Sequence, residues 1–123
     1  MVDRKPDRDL WTYRSVRYAQ RNLTGMAVEA LDGLVGVVYK ATTDDEASYI
    51  VVDTGPWIFD KKVLLPAGVI CNVDFDAETL LVDRTKEQIR NAPRYDEREM
   101  SDPDWRRLYQ PQIASYYGLG RPR

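Results

Sequence analysis

The chain has 123 residues, 43% hydrophobic and 31% charged, with three Trp and eight Tyr. This suits one soluble globular domain and excludes a disordered or low-complexity polymer. With no histidine and a single cysteine, Cys71, zinc ribbons and fingers, a Ser-His-Asp triad, a Cys-His dyad and an intramolecular disulfide are all excluded.

The net charge of −2 conceals a division: residues 1–22 carry +3, residues 23–85 carry −7 and residues 86–123 carry +2. An acidic body repels a phosphate backbone, which argues against double-stranded DNA as its partner. The basic ends are expected to lie on their own acidic body or on that of a neighbouring copy. No run approaches the roughly 20 apolar residues of a membrane span, and Val2 to Asp9 has no apolar core of a signal peptide. A cytoplasmic protein is therefore expected, and the lone thiol fits a reducing compartment.

In the first 22 residues Trp11, Tyr13, Val16 and Tyr18 stand among Arg4, Lys5, Arg8, Arg14, Arg17 and Arg21. They settle into no period, so an extended arm and a short helix are both open. Aromatics interleaved with arginine could stack on single-stranded nucleic acid, or simply anchor the arm to the body.

From Thr24 to Asp83 the pattern is β: about six short runs rich in Val, Ile, Leu and Tyr, separated by Gly, Asp, Asn and Pro. The runs are Met26–Ala30, Val35–Ala41, Ser48–Asp53, Lys61–Leu65, Val69–Phe75 and Leu80–Asp83. Asp32-Gly33 predicts a two-residue hairpin turn with both central residues at positive φ. Gly36, inside a strand, predicts a bulge or the close approach of another backbone. Thr43-Asp44-Asp45-Glu46 reads as a solvated turn, and Thr54–Asp60 as a loop carrying Trp57 and Phe59. In the fifth run Cys71, Val73 and Phe75 face one way and Asn72 and Asp74 the other, which predicts a buried, inert thiol. So many short strands in about sixty residues predict a small antiparallel barrel or a tightly coiled sheet.

Thr85-Lys86-Glu87-Gln88 has capping-box spacing and predicts a short helix to about Asn91, ended by Pro93. Arg94 to Ser101 is a polar connector. Asp102 as N-cap and Pro103 at the first helical position restart helix. Trp105, Leu108, Tyr109, Ile113, Tyr116 and Tyr117 then recur at helical spacing as one face, to Gly118. Pro111 makes this one kinked helix or two short ones. The face packs either on its own barrel or on a second chain.

Taken together, Leu23-Thr24-Gly25, Asp32-Gly33-Leu34-Val35-Gly36-Val37-Val38, Val63-Leu64-Leu65-Pro66 and Leu81 through Pro93 resemble the PRC-barrel family. This is the small β-barrel of the photosynthetic reaction-centre H subunit, and the resemblance covers residues 23–93, leaving 1–22 and 94–123 as additions. It implies a non-catalytic scaffold with no shared active site. Relatives include the reaction-centre subunit, the C-terminal domain of a ribosome-maturation factor that docks a ribosomal protein, and stand-alone bacterial and archaeal proteins.

The leading expectation is a protein-interaction module that self-associates as a dimer, with contact residues among Trp57, Phe59, Trp105, Tyr109, Tyr116 and Tyr117. The alternative is a ribosome- or RNA-associated maturation factor using the basic arm. A more remote one is an accessory protein of electron transport like the H subunit. No catalytic, metal or cofactor site is expected. A catalytic carboxylate at Asp53 or Asp74 would require a raised pKa, and Gly33 with Gly36 reads as a turn and bulge, not a phosphate loop.

Overall fold

The computed structural model describes positions 10–43, 48–55, 61–96, 98 and 104–119, excluding the side chains of Arg106 and Leu119. Arg4, Lys5, Arg8, the acidic turn residues Asp44, Asp45 and Glu46, the loop aromatics Trp57 and Phe59, and the cap pair Asp102 and Pro103 lie outside these residues.

Six strands form one sheet: β1 (Ala27–Ala30), β2 (Gly33–Ala41), β3 (Tyr49–Asp53), β4 (Lys62–Pro66), β5 (Ile70–Asp74) and β6 (Thr79–Val82). Their spatial order is β4-β3-β2-β1-β6-β5. Neighbours pair antiparallel except β1 and β6, which run parallel. This corrects the all-antiparallel expectation: hydrophobic runs mark strands, whereas pairing direction depends on the path of the chain. β4 and β5 do not pair, so the sheet is not closed. Only the single 3₁₀ turn Ala67–Val69 joins these two edges. It can span at most about 14 Å, which forces the sheet to curl until its ends stand near one another.

The chemistry of each strand explains the curl. β-branched and leucine side chains on the concave side, Val28, Val35, Val38, Ile50, Val52, Val63, Leu65, Leu80 and Val82, are all buried. Two bulges in β2 bend it. Val28 stands opposite Gly36 and Glu29 opposite Leu34, leaving Val35 extra; Val38 pairs Val52 and Lys40 pairs Val51, leaving Tyr39 extra. Gly36 is the close approach that its place in the strand predicted, since a Cβ there would lie 2.3 Å from the Asp53 carbonyl oxygen.

The first hairpin differs from expectation. Ala30 pairs Gly33, so Leu31 and Asp32 make the turn, and of Asp32 and Gly33 only Gly33 has positive φ, at 135°. Asp32 instead turns its carboxylate to the Lys86 backbone N–H at 2.8 Å, so a tertiary contact sets this turn rather than the local Asp-Gly preference.

Around the sheet lie α1 (Val16–Gln20), α2 (Lys86–Arg90), α3 (Trp105–Leu108) and α4 (Gln110–Leu119). The capping box of α2 is present, with Thr85 Oγ1 accepting from the Gln88 N–H and Gln88 Oε1 accepting from the Thr85 N–H. The break at Tyr109 gives two helices, as Pro111 requires: it has no N–H to donate four residues back, so it sits in the first turn of a new helix. The N-cap of α3 is Asp104, whose side chain makes no capping bond.

One core draws on all segments: Leu10 and Trp11 from the arm, the strands, Ile89 and Ala92 after them, and Trp105, Ile113 and Tyr117 from the tail. Cys71 is half-buried rather than buried, because the β5 bulge between Ile70 and Asn72 turns it partly outward. Its Sγ lies 3.5 Å from the Leu81 carbonyl, and burial pushes the thiol pKa up, as an inert thiol requires. Among the described residues no helix is long and apolar enough to cross a membrane.

Replacing Gly36 with Ala drives a methyl into the β3 backbone. An increase in side-chain volume at such a site costs about 1–3 kcal/mol, so urea unfolding of Gly36→Ala is expected to show a lowered midpoint with an unchanged slope.

Candidate interaction surfaces

The barrel's accessory segments are held by one cluster at the end of β6. Arg84 is fully buried; its Nη2 donates to the Tyr117 carbonyl at 2.7 Å, and its Nη1 donates to the Asp83 carbonyl at 2.9 Å and to the Asp83 carboxylate. The same carboxylate receives Arg14 Nη2 at 2.6 Å, while Arg14 Nε donates to the Gly68 carbonyl at 2.8 Å. The basic arm is thus fastened to the acidic body at Arg14. Nothing in the sequence singled out Arg84; the signal was an Asp-Arg pair directly following an apolar strand, Leu80-Leu81-Val82.

The aromatic tail spends its largest side chains inside the chain. Trp105 packs edge-on against Trp11 and Tyr49, with ring centroids 6.2 and 5.5 Å away. Tyr117 is buried and its hydroxyl donates to the Leu64 carbonyl at 3.0 Å. Tyr109 and Tyr116 are half-buried, and the Tyr116 hydroxyl donates to the Gln88 carbonyl. The face packs on its own barrel. Leu108, read as part of it, points to solvent, 39% exposed, because the break at Tyr109 rotates α3 relative to α4. The six candidate contact residues are therefore divided: Trp105 and Tyr117 are core, Tyr109 and Tyr116 flank it, and Trp57 and Phe59 are outside the described residues.

Two surfaces remain. The first is the outer face of the β1–β2 hairpin, where Leu31, Leu34, Val37 and Tyr39 are exposed at 55, 52, 46 and 44%. The bulge at Val35 puts Val37 on the same side as Leu34, although plain alternation from Leu34 would send it inward, and Tyr39 is the extra residue of the second bulge. Both ends of the stripe carry charge. Glu29 lies opposite Leu34 and Asp32 beside Leu31, with the Lys86 side chain against Gly33. At the other end stand Lys40 and Lys62, whose ammonium lies 4.6 Å from the Tyr39 ring centroid, with Asp53 opposite Val37. The second surface is a cleft of about 390 Å³ lined by Arg17, Arg21 and the consecutive residues Asn72 to Asp76.

The carboxylates considered for acid–base work are exposed and engaged in turns: Asp53 Oδ1 accepts from the Gly55 N–H and Asp74 Oδ1 from the Ala77 N–H, each at 3.0 Å. Among the described residues no cluster of His, Cys, Asp and Glu could hold a metal ion.

Removing Arg84 leaves the buried Tyr117 carbonyl without its donor and the Asp83 carboxylate with Arg14 alone. Loss of one partner of a buried pair costs about 3–5 kcal/mol, so Arg84→Ala is expected to unfold at much lower urea. Arg84→Lys rescues little, because one ammonium cannot span both acceptors.

Tyr13 supplies a pH dependence. Its hydroxyl donates to the Thr42 carbonyl at 2.6 Å, and burial pushes its pKa from 10.0 up to about 12. Burial also raises Tyr116 and Tyr117. Above pH 10 the unfolded tyrosines lose protons that the folded ones keep, so stability is full below pH 10 and falls toward pH 12. Chemical denaturation across this range is expected to show that decline, shallower for Tyr13→Phe.

No family model matches the chain, and no curated protein matches it. One solved structure that does is from Pseudomonas aeruginosa and is described as a 16S ribosomal RNA processing protein, RimM. The match has 25% sequence identity and a TM-score of 0.46, and covers 53% of this chain and 42% of that one.

Proposed function

We propose that the chain is a non-catalytic docking module of the PRC-barrel type that self-associates through the outer face of its β1–β2 hairpin. The exposed stripe Leu31-Leu34-Val37-Tyr39 carries this reading, because contiguous apolar side chains rimmed by charge mark interaction surfaces. Its charge pattern supports a second copy as the partner. A two-fold axis near Val37 lays Glu29 and Asp32 of one copy against Lys40 and Lys62 of the other, and an isologous contact needs such self-complementarity.

Sedimentation equilibrium of the full chain tests this. The parent is expected as a dimer, and Val37→Glu as the 14.2 kDa monomer. Glu29→Lys and Lys40→Glu singly are expected to weaken association by about tenfold or more, and the double variant to restore it. A parent that stays monomeric at its highest soluble concentration, or a double variant no better than the singles, overturns the reading.

A second reading is a ribosome- or RNA-associated factor, the kind of role named in the description of the Pseudomonas protein. One observation favours it: Arg17 and Arg21 are exposed at the cleft, over the Phe75 ring, with centroid distances of 5.8 and 4.5 Å. Asp74 and Asp76 on the facing wall count against a phosphate chain. Binding of single-stranded RNA that weakens steeply with salt and is lost in Arg17→Glu/Arg21→Glu supports it; salt-insensitive or absent binding removes it.

A further inference from the structure

The two edges of the sheet are treated differently by the chain. β4 is covered by its own connector: Val63 bridges Arg94, and the Tyr95 N–H donates to the Lys62 carbonyl. β5, at the other end, pairs only β6 among the described strands. In an antiparallel pair alternate residues turn their N–H and C=O away from the neighbour, so β5 offers a row of backbone donors and acceptors, the usual template for an added strand.

The cleft reaches that edge: it touches the three consecutive β5 residues Asn72, Val73 and Asp74, then Phe75 and Asp76 of the turn to β6. Side chains of consecutive strand residues alternate between faces, so a cavity over one face would meet every second residue, whereas a groove beside the edge meets them all. Its outer wall is α1, which Arg14 fixes beside the start of the strand through Gly68 and Asp83, and which packs Tyr18 against Phe75 at 6.5 Å. From this wall Arg17 and Arg21 reach over Phe75. Neither makes an ion pair among the described residues, whereas Asp74 on the facing strand is already bonded to the Ala77 N–H.

We propose that the free edge of β5, with Arg17 and Arg21, docks an extended acidic peptide of another protein as an added strand. The spacing fits. Arg17 in α1 and Arg21, the extended residue that caps it, are four positions apart, a rise of about 6 Å, and strand residues two apart, which share a face, rise about 6.6 Å. Carboxylates at alternate positions of the peptide therefore match Arg17 and Arg21, while its backbone pairs with β5. An RNA strand gains the two arginines but has no backbone N–H to return to the ladder, and it faces Asp74 and Asp76. The groove lies apart from the β1–β2 stripe, so it stands or falls independently of self-association.

The test is fluorescence anisotropy of the full chain with labelled heptapeptides alternating Glu and Val. Saturable binding is expected, about tenfold or more weaker for the Lys–Val counterpart and for Arg17→Glu/Arg21→Glu. Methylating the peptide's alternate backbone nitrogens is expected to abolish binding, a readout that leaves the folded protein untouched. No binding of the Glu–Val peptide, binding indifferent to N-methylation or to the arginines, or tighter binding of oligouridine than of the peptide each overturns the proposal.

Discussion

The Arg84 guanidinium is the point at which the separate parts of this molecule meet. It sits where β6 ends and α2 begins, and it reaches the last helix through the Tyr117 carbonyl. Its neighbour Asp83 binds both Arg84 and Arg14, so one carboxylate joins barrel, arm and tail. A buried arginine is costly unless its donors find acceptors. Here two of those acceptors, the Asp83 carbonyl and carboxylate, come from the adjacent residue, and the third, the Tyr117 carbonyl, is supplied only when the tail docks. The placement of the tail therefore follows from the need to satisfy this one cation as well as from the burial of Trp105 and Tyr117.

The curled sheet supplies a second constraint. With its two edge strands joined by three residues, its concave side closes around Val, Ile and Leu side chains, and its convex side needs cover. Over β3 and β4 that cover comes from Trp11, Trp105 and Tyr117, whose rings and hydroxyls reach Tyr49 and Leu64. Over β1 and β2 it does not, and the apolar stripe there is left to solvent. The terminal aromatics that were the leading contact candidates are thus consumed in the fold, and the proposed contact moves to the hairpin they leave bare.

Legibility in the sequence varied with how local each determinant was. All six strands were recoverable from short apolar runs bounded by turn residues, and α2 from Thr85 and Gln88, because each depends on neighbours a few positions away. Gly36 announced a close approach for the same reason: a missing Cβ inside a strand has few other uses. The Asp32-Gly33 turn was misread because Asp32 bonds Lys86, 54 positions on. The outward face of Val37 was hidden by the bulge at Val35, which only the pairing of β2 with β1 defines.

By itself, the sequence determined a mainly β body of short strands, a capped helix after it, a helical tail interrupted at Pro111, and the exclusion of histidine-based chemistry and an intramolecular disulfide, since inventory and short-range periodicity are properties of the chain alone. The tertiary structure decided that β1 and β6 run parallel, that the tail's aromatics serve the core, that Arg84 is buried, and that a hairpin face and a strand edge remain open. Each of these depends on which distant segments come into contact, and that is settled by packing and by the pairing of buried charge, which no local pattern encodes.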